Sequence, residues 1–158
     1  MGALQHARLL AALLIRDPRP DDETAWRRLW AGYVAFYEAE IGEDVTTATW
    51  RRLFKPDSNM RGRIAEWKGD VVGFTVSIIH PVSWTLTPAC YLEDLFVDPA
   101  ARGQGIGGAL IQDLVDIGRE RGWSRLYWHT RASNDTARRL YDTFVEADDF
   151  VRYRMILD

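Results

Sequence analysis

The chain has 158 residues, of which 47% are hydrophobic and 27% are charged, and its formal net charge at pH 7 is -3. This size and composition indicate a globular protein with a sizeable core. The slight excess of acid argues against nucleic acid as a partner, because nucleic-acid binding needs a basic stripe. No apolar run is long enough to suggest a membrane span, so no membrane partner is expected. The single cysteine, Cys90, can form no internal disulfide, which suits a cytoplasmic protein.

The beginning of the chain is predicted to be a leader followed by a first strand. Arg8 and the apolar residues 9–15 faintly resemble a secretory signal, but the apolar run is minimal and no small-residue cleavage site follows it. We therefore predict a disordered leader over residues 1–12 and a single domain over residues 13–158. Leu13 to Arg16 is its first strand.

Two helices and a hairpin are predicted next. A polar turn, Asp17 to Asp22, caps a first helix with apolar residues at helical spacing. The stripe of that helix consists of Trp26, Leu29, Trp30, Tyr33, Val34, Tyr37 and Ile41. A second short helix runs from Thr46 to Phe54 and is followed by two strands, Arg61 to Trp67 and Val71 to His80, with a turn between them.

A central strand is predicted from Tyr91 to Val97. It is mostly apolar but carries two acids, Glu93 and Asp94, whose side chains are expected on opposite faces. Pro99 ends the strand, because proline cannot donate a hydrogen bond to a sheet.

Four glycines between positions 103 and 108 follow this strand and open a helix that runs to about Arg121, with Gly122 as its terminator. The unpaired N–H groups at such a helix start lie at the positive end of the helix dipole and bind phosphate. The pattern Gly103-x-Gly105-x-x-Gly108 matches the dinucleotide fingerprint only formally. Five residues separate the glycines from the strand, and no ribose-binding acid follows at the required distance. No Gly-Lys-Ser/Thr is present, which excludes a P-loop nucleotidase.

The remaining elements are a strand, a helix and a last strand. Arg125 to Thr130 alternates as a strand does, a helix capped near Asn134 runs to about Phe144, and Phe150 to Leu157 is the last strand. The element order is therefore β-α-α-β-β-β-α-β-α-β, which indicates a mixed α/β protein of α+β type. A strand–helix–strand crossover makes the Tyr91 and Arg125 strands parallel neighbours.

Several motifs together resemble one family. R-G-Q-G-I-G from Arg102 fits the acyl-CoA signature R-x-x-G-x-G/A, with V-D-P before it, G-G-A-L-I after it and N-D-T-A-R-R-L-Y from Asn134. The chain is thus similar to the GNAT family of N-acetyltransferases, specifically over residues 91–141 and loosely over 13–157. Y-L-E-D-L-F-V and L-Y-W-H-T further resemble diamine or polyamine acetyltransferases and small yeast-type histone acetyltransferases. The family's glycine–aromatic pair after the last helix is missing, where the chain reads T-F-V-E-A-D-D-F.

The resemblance implies a GNAT fold, with a mixed, mostly antiparallel sheet of six to seven strands and about four helices, and acetyl-CoA as co-substrate. No metal is expected, because no paired His or Cys stands at ligand spacing. The implied cofactor-binding residues are Leu95, Phe96, Val97, Arg102, Gly103, Gln104, Gly105, Ile106, Gly107, Gly108, Asn134, Ala137 and Tyr141. Loop N–H groups would hold the pyrophosphate, and strand backbone groups the pantetheine arm. Asn134 has a helix N-cap as its alternative role, and Tyr141 a place in the core.

The resemblance also implies two catalytic residues. Tyr141 would protonate the departing thiolate. A base is needed because the lone pair of an ammonium is occupied and cannot attack a thioester. By similarity to the E-D pair of diamine acetyltransferases the base is expected to be Glu93, with Asp94 as the second choice and His80 or His129 as alternatives.

An aromatic and acidic cage is predicted to bind the acceptor amine. Its members are Trp30, Tyr33, Tyr37, Trp84, Glu93 and Asp94, with Glu38 beside them. The first hypothesis for the function is transfer of acetyl to a primary amine, on a small molecule or polyamine, by direct attack in a ternary complex. The alternatives are a protein lysine or N-terminal acetyltransferase and a non-catalytic acyl-CoA-binding module. The family resemblance also suggests a homodimer.

Overall fold

The chain folds around a five-stranded sheet. The computed structural model describes residues 2–4 and 12–157, so most of the predicted leader lies outside the described residues. The strands are β1 (Leu13–Arg16), β2 (Met60–Trp67), β3 (Asp70–His80), β4 (Ala89–Val97) and β5 (Leu126–Tyr127). They lie side by side in chain order, with β1 to β4 antiparallel and β5 parallel to β4. The predicted mixed sheet and its parallel crossover are confirmed.

Helices cover both faces of this sheet. They are α1 (Glu23–Phe36), α2 (Glu43–Arg52), α3 (Ile106–Arg121) and α4 (Asp135–Tyr141). Successive residues of a strand point to opposite faces, so the strands contribute to two cores. Phe74 and Phe96 pack with Trp26 of α1, whereas Ala65 and Val97 pack with Leu110 of α3. Within the described ranges, no helix has the length and apolar character to cross a membrane.

Two contacts fix α1 on the sheet. Trp26 and Trp30 are buried and stack with their ring centres 5.1 Å apart. At the start of the helix, Arg16 of β1 donates hydrogen bonds of 2.7 and 2.8 Å to the two carboxylate oxygens of Asp22, and one of 2.9 Å to Glu66 of β2. The hydrogen bond from Arg16 holds the pKa of Asp22 below its ordinary value, so this pair stays ionised at neutral pH. The position of α1 determines where its tyrosines meet β4.

The helix boundaries differ modestly from the sequence predictions. Gly122 ends α3 with φ of 70°, and its N–H bonds the Gly118 carbonyl, as expected for a glycine terminator. By contrast, α1 ends at Phe36 and does not continue to Ile41, because the chain turns at Glu38, which has a left-handed φ of 52°. α2 begins at Glu43, earlier than predicted.

The prediction of a last strand from Phe150 to Leu157 is wrong. No residue from 145 to 157 is in a strand, and all of these residues are exposed. The β5 strand is also shorter than predicted, with two residues paired to β4 in place of Arg125 to Thr130. The described sheet therefore has five strands and not six or seven. A period-two pattern forms a strand only where another strand supplies hydrogen bonds, and the tail does not pair with β5.

Candidate active site

The glycine loop between β4 and α3 has the backbone geometry of an anion-binding site. Gly103 and Gly105 have φ of 77° and 78°, in the left-handed region that residues with a Cβ rarely adopt. Gly105 is the N-cap of α3 and provides no side-chain cap. The first N–H groups of this sixteen-residue helix are thus without a side-chain acceptor, at the positive end of its dipole. A pyrophosphate group fits this set of donors.

The next glycines bring α4 close to this loop. A Cβ on Gly107 would lie 3.2 Å from a methyl carbon of Leu140, and one on Gly108 would lie 3.5 Å from the other. The missing side chain of Gly107 therefore lets α4 pack directly against the start of α3. Tyr141, the last residue of α4, packs against the core cluster that contains Leu92 of β4.

β4 loses its partner on the β5 side halfway along its length. The two strands pair only at Cys90–Leu126 and Tyr91–Tyr127, yet β4 continues to Val97. The N–H of Asp98 bonds Val72 of β3, so by alternation Phe96 also faces β3, while Leu95 and Val97 turn their backbone groups into the gap. The Arg102 side chain donates to the Val97 carbonyl at 3.1 Å. The gap can accept an extended, amide-bearing ligand as an added strand.

A β-bulge in β4 gives its two acids different surroundings. Val76 of β3 lies opposite Asp94 and Ser77 lies opposite Leu92, so Glu93 is the extra residue. Glu93 is exposed, whereas Asp94 is half-buried and accepts a hydrogen bond of 2.6 Å from the Tyr33 hydroxyl. Burial raises the pKa of Asp94 to about 6, the Tyr33 bond opposes this, and the charge of Glu93 adds to it. Asp94 is therefore a carboxyl group that can gain or lose a proton near neutral pH.

Tyr141 is a protonated phenol at the edge of the same site. Its ring lies 5.5 Å from that of Trp128 in an edge-to-face contact. Burial raises its pKa, with a smaller contribution from Tyr37. Tyr37 also contacts Tyr33, the partner of Asp94, with ring centres 5.1 Å apart.

Of the predicted cage, the structure brings together Tyr33 of α1, Tyr37 just after this helix, and the acids of β4. Trp30 is only 7% exposed and belongs to the core. Trp84 lies in the β3–β4 loop and is 94% exposed. Glu38 is at the turn that follows α1. The described wall beside Asp94 is therefore formed by Tyr33 and Tyr37.

The side chains of Asn134 and of the two candidate histidines form hydrogen bonds within the protein. The Asn134 side chain accepts from the Ala137 N–H at 3.3 Å and so caps α4. Both ring nitrogens of His80 are bonded, to Tyr127 at 2.7 Å and to the Pro81 carbonyl at 2.8 Å. His129 bonds the Tyr91 hydroxyl at 3.1 Å. In the described part of the chain, no group of three or more His, Cys, Asp or Glu is placed to hold a metal ion.

Comparison with known proteins identifies this arrangement. The sequence pattern of the "Acetyltransferase (GNAT) family" matches residues 19–144. The chain belongs to the GNAT family of acetyltransferases. It is 31% identical over 144 residues to the D-amino-acid N-acetyltransferase HPA3 of Saccharomyces cerevisiae, an alignment that covers 90% of this chain and 89% of the yeast protein. GNAT enzymes use acetyl-CoA, and the loop and gap described above fit its pyrophosphate and its pantetheine arm.

Solved structures of GNAT proteins share the fold. A ribosomal-protein-alanine N-acetyltransferase of Brucella melitensis superimposes with a TM-score of 0.79 at 26% identity, covering 92% of this chain and 100% of that one. The aminoglycoside acetyltransferase meta-AAC0020 from a soil metagenome gives a TM-score of 0.79 at 21% identity, covering 94% of this chain and 98% of that one. The predicted GNAT fold is confirmed.

Two contacts of this acetyltransferase were missed in the sequence. The sequence predicts Tyr33 as a pocket residue, but its bond to Asp94, sixty-one positions away, leaves no local pattern. Arg131 precedes α4 and carries its guanidinium 5.5 Å from the ring centre of Tyr37. The loop before α4 contains no sequence motif that points to Arg131.

The raised pKa of Asp94 predicts a pH-dependent stability. The pKa of Asp94 is about 6 in the folded protein, above its ordinary value of 3.8. The protonated group therefore contributes fully to stability at pH values below 3.8, and this contribution is lost as the pH rises through about 6. Asparagine can still accept the Tyr33 bond but cannot ionise. Asp94→Asn should therefore have a higher free energy of unfolding than wild type at high pH. The difference between the two proteins should be about 2–3 kcal/mol larger at about pH 8 than at about pH 4.

Urea denaturation at the two pH values measures this difference. Glu93→Gln is the matched control, because Glu93 is exposed, and it should change the pH dependence much less. Parallel pH profiles for wild type and Asp94→Asn would contradict a raised pKa at Asp94.

Proposed function

We propose that this acetyltransferase moves acetyl from acetyl-CoA to the primary amine of a small molecule, by direct attack in a ternary complex. The observation that carries the proposal is the half-buried Asp94, bonded to Tyr33 and with a pKa near neutrality, on the strand whose end opens beside the acyl-CoA loop. Such a carboxyl group is suited to general-base catalysis because its pKa is close to the working pH.

Cofactor binding is assigned to the loop and to the open edge of β4. The N–H groups from Gly103 to Gly108, with Arg102, would hold the pyrophosphate, and the free backbone groups of Leu95 would bind the pantetheine arm. The Val97 N–H faces the gap and is the proposed donor to the thioester carbonyl, which would stabilise negative charge that develops there. Asn134 and Ala137 are retained as cofactor contacts at the start of α4, with Asn134 also capping the helix.

Proton transfer is assigned to three residues. Asp94 would remove a proton from the acceptor ammonium, directly or through water, and so free the lone pair that attacks the thioester carbon. Glu93, exposed on the bulge one residue away, would attract the cation and is the alternative base. Tyr141 would donate a proton to the sulfur as the C–S bond breaks. After attack the nitrogen loses its second proton, which passes through water to restore the Tyr141 phenol, and the proton on Asp94 passes to solvent. The new N–C bond replaces the C–S bond, and CoA leaves as the thiol.

A small amine is favoured as the acceptor over a protein. Tyr33, Tyr37, Asp94 and Glu93 together suit an organic ammonium. The yeast relative is named for D-amino acids and the metagenomic structure for aminoglycosides, while the Brucella structure is named for a ribosomal protein. Polyamines and free amino acids are the first acceptor classes to test, and protein amines the second. The cytoplasm is the proposed compartment, in keeping with one buried, unpaired cysteine, Cys90.

The main test is turnover on an amine panel combined with a variant at Tyr141. Wild type should release CoA with at least one of polyamines, amino acids or aminoglycosides. Tyr141→Phe should lower kcat by roughly a hundredfold or more, because the leaving sulfur loses its proton donor, while the Kd for acetyl-CoA from calorimetry changes little. Unchanged kcat would remove Tyr141 from the mechanism. Turnover only on peptides would replace the small-molecule proposal.

The two acids are separated by their pH–rate profiles. The acidic limb of kcat/KM should follow the pKa of Asp94, near 6, because the base must be ionised in the free enzyme. Asp94→Asn should lower kcat by about 10²- to 10⁴-fold and abolish this limb. Glu93→Gln should keep the limb and raise KM for cationic acceptors. The reverse pattern, with the limb lost in Glu93→Gln, would make Glu93 the base.

A homodimer is part of the proposal, and the tail supports it. Val151, Tyr153, Met155 and Leu157 stand at every second position of an exposed segment. In the described sheet β5 is the end strand, so its outer edge has no neighbour. A free strand edge and an exposed strand-like segment in the same molecule can satisfy each other between two copies. The tail of each copy would then add to the β5 edge of its partner.

Light scattering with size exclusion tests this assembly. Wild type should have twice the 18.2 kDa mass of the chain, and Tyr153→Asp with Met155→Asp should give a monomer, because charges do not fit into a packed strand. Trp84→Asp is the control, since Trp84 is equally exposed but lies outside the tail. A monomeric wild type, or a dimer that survives the double change, would overturn the tail-mediated dimer.

A further inference from the structure

Arg131 places a cation at the mouth of the site. It is exposed in the connection between β5 and α4, with its guanidinium 5.5 Å from the ring centre of Tyr37. Within residues 2–4 and 12–157, no carboxylate lies within 4.0 Å of it, although Arg16, Arg27, Arg28 and Arg63 all have such partners. The guanidinium is therefore held by an aromatic face and keeps its hydrogen-bond donors for another group.

The cation and the candidate base lie on the same aromatic wall. Tyr37 touches Tyr33 edge to face, and Tyr33 donates its 2.6 Å hydrogen bond to Asp94. The wall thus runs from Arg131 through two tyrosines to Asp94.

We propose that Arg131 binds a carboxylate of the acceptor and that the acceptor is a free amino acid. This inference rests on the proposed function and deepens it. An amino acid presents an ammonium to Asp94 and a carboxylate to Arg131, so each end meets the opposite charge. A guanidinium binds a carboxylate with two parallel hydrogen bonds, which orients the acceptor as well as holding it.

The same arrangement disfavours polyamines. A polyamine that places one ammonium at Asp94 carries a second cation along the tyrosine wall toward Arg131, where like charges repel. Arg131 is therefore a specificity-determining residue, which selects between acceptors that the acids and tyrosines would otherwise accept alike. In the reaction itself, the ammonium proton goes to Asp94, the new N–C bond replaces the C–S bond, and Arg131 takes no part in proton transfer.

The test compares free amino acids with their amides. The full chain is assayed on both enantiomers of several amino acids, on the corresponding amino-acid amides and on spermidine, with kcat and KM determined separately. Wild type should favour the free acids. Arg131→Gln should lower kcat/KM for the acids by about tenfold to a hundredfold more than for the amides, mainly through KM, because a charged hydrogen bond is lost. Arg131→Lys should recover part of the loss.

Arg125→Gln is the matched control. Arg125 also lies over a tyrosine, 5.0 Å from the ring centre of Tyr127, but at the far end of the sheet from the glycine loop. It should leave the ratio of acid to amide unchanged. Equal losses for acids and amides in Arg131→Gln would show a merely structural role and overturn the proposal. A wild type that acetylates amides or spermidine in preference to free acids would also overturn it, while leaving the small-amine function intact. No turnover on any amine would instead contradict the proposed function itself.

Discussion

The separation of β4 from β5 is the feature on which the rest of the site depends. A strand in the middle of a sheet has all its backbone groups paired, and nothing can be added to it. Here the pairing with β5 stops after Tyr91–Tyr127, and the second half of β4 has no strand on that side of the described sheet, while β3 still holds it on the other side. The bulge at Glu93 lies at the same point and changes which residues face which side. One irregular strand therefore has both an open edge beside the glycine loop and a half-buried carboxyl group.

The placement of Asp94 has a cost in stability that other contacts must offset. A carboxyl group with a raised pKa is less stable as an ion in the folded protein than in water. Tyr33 reduces that cost with its hydrogen bond, and it can do so only because α1 is firmly fixed. The Trp26–Trp30 stack and the Arg16–Asp22 pair provide this fixation. The polar site is thus supported by an apolar and an ionic anchor on the same helix.

The glycine loop could be predicted from the sequence, whereas the surroundings of the two acids of β4 could not. The N–H groups of an anion-binding loop come from consecutive residues, so Gly103, Gly105 and the start of α3 form a motif that can be recognised locally. The two acids of β4 were also identified, but the sequence could not say which is buried, because the bulge depends on pairing with β3. Tyr33 was named for its helical spacing, yet its bond to Asp94 is a tertiary contact. The strand predicted at Phe150 to Leu157 failed for a related reason, since alternation alone does not supply a partner edge.

This contrast has a physical basis in how the two ligands are bound. In the proposed binding mode, acetyl-CoA is recognised largely through backbone groups, and only a narrow set of sequences, rich in glycine, can present them. The proposed acceptor site is instead made of side chains from α1, β4 and the loop before α4, each of which can change without disturbing the sheet. Arg131 illustrates this freedom, because it is exposed and rests on Tyr37 rather than in the core. In such a fold an exposed residue at this position can change its charge while the cofactor loop and the carboxyl group of Asp94 stay in place.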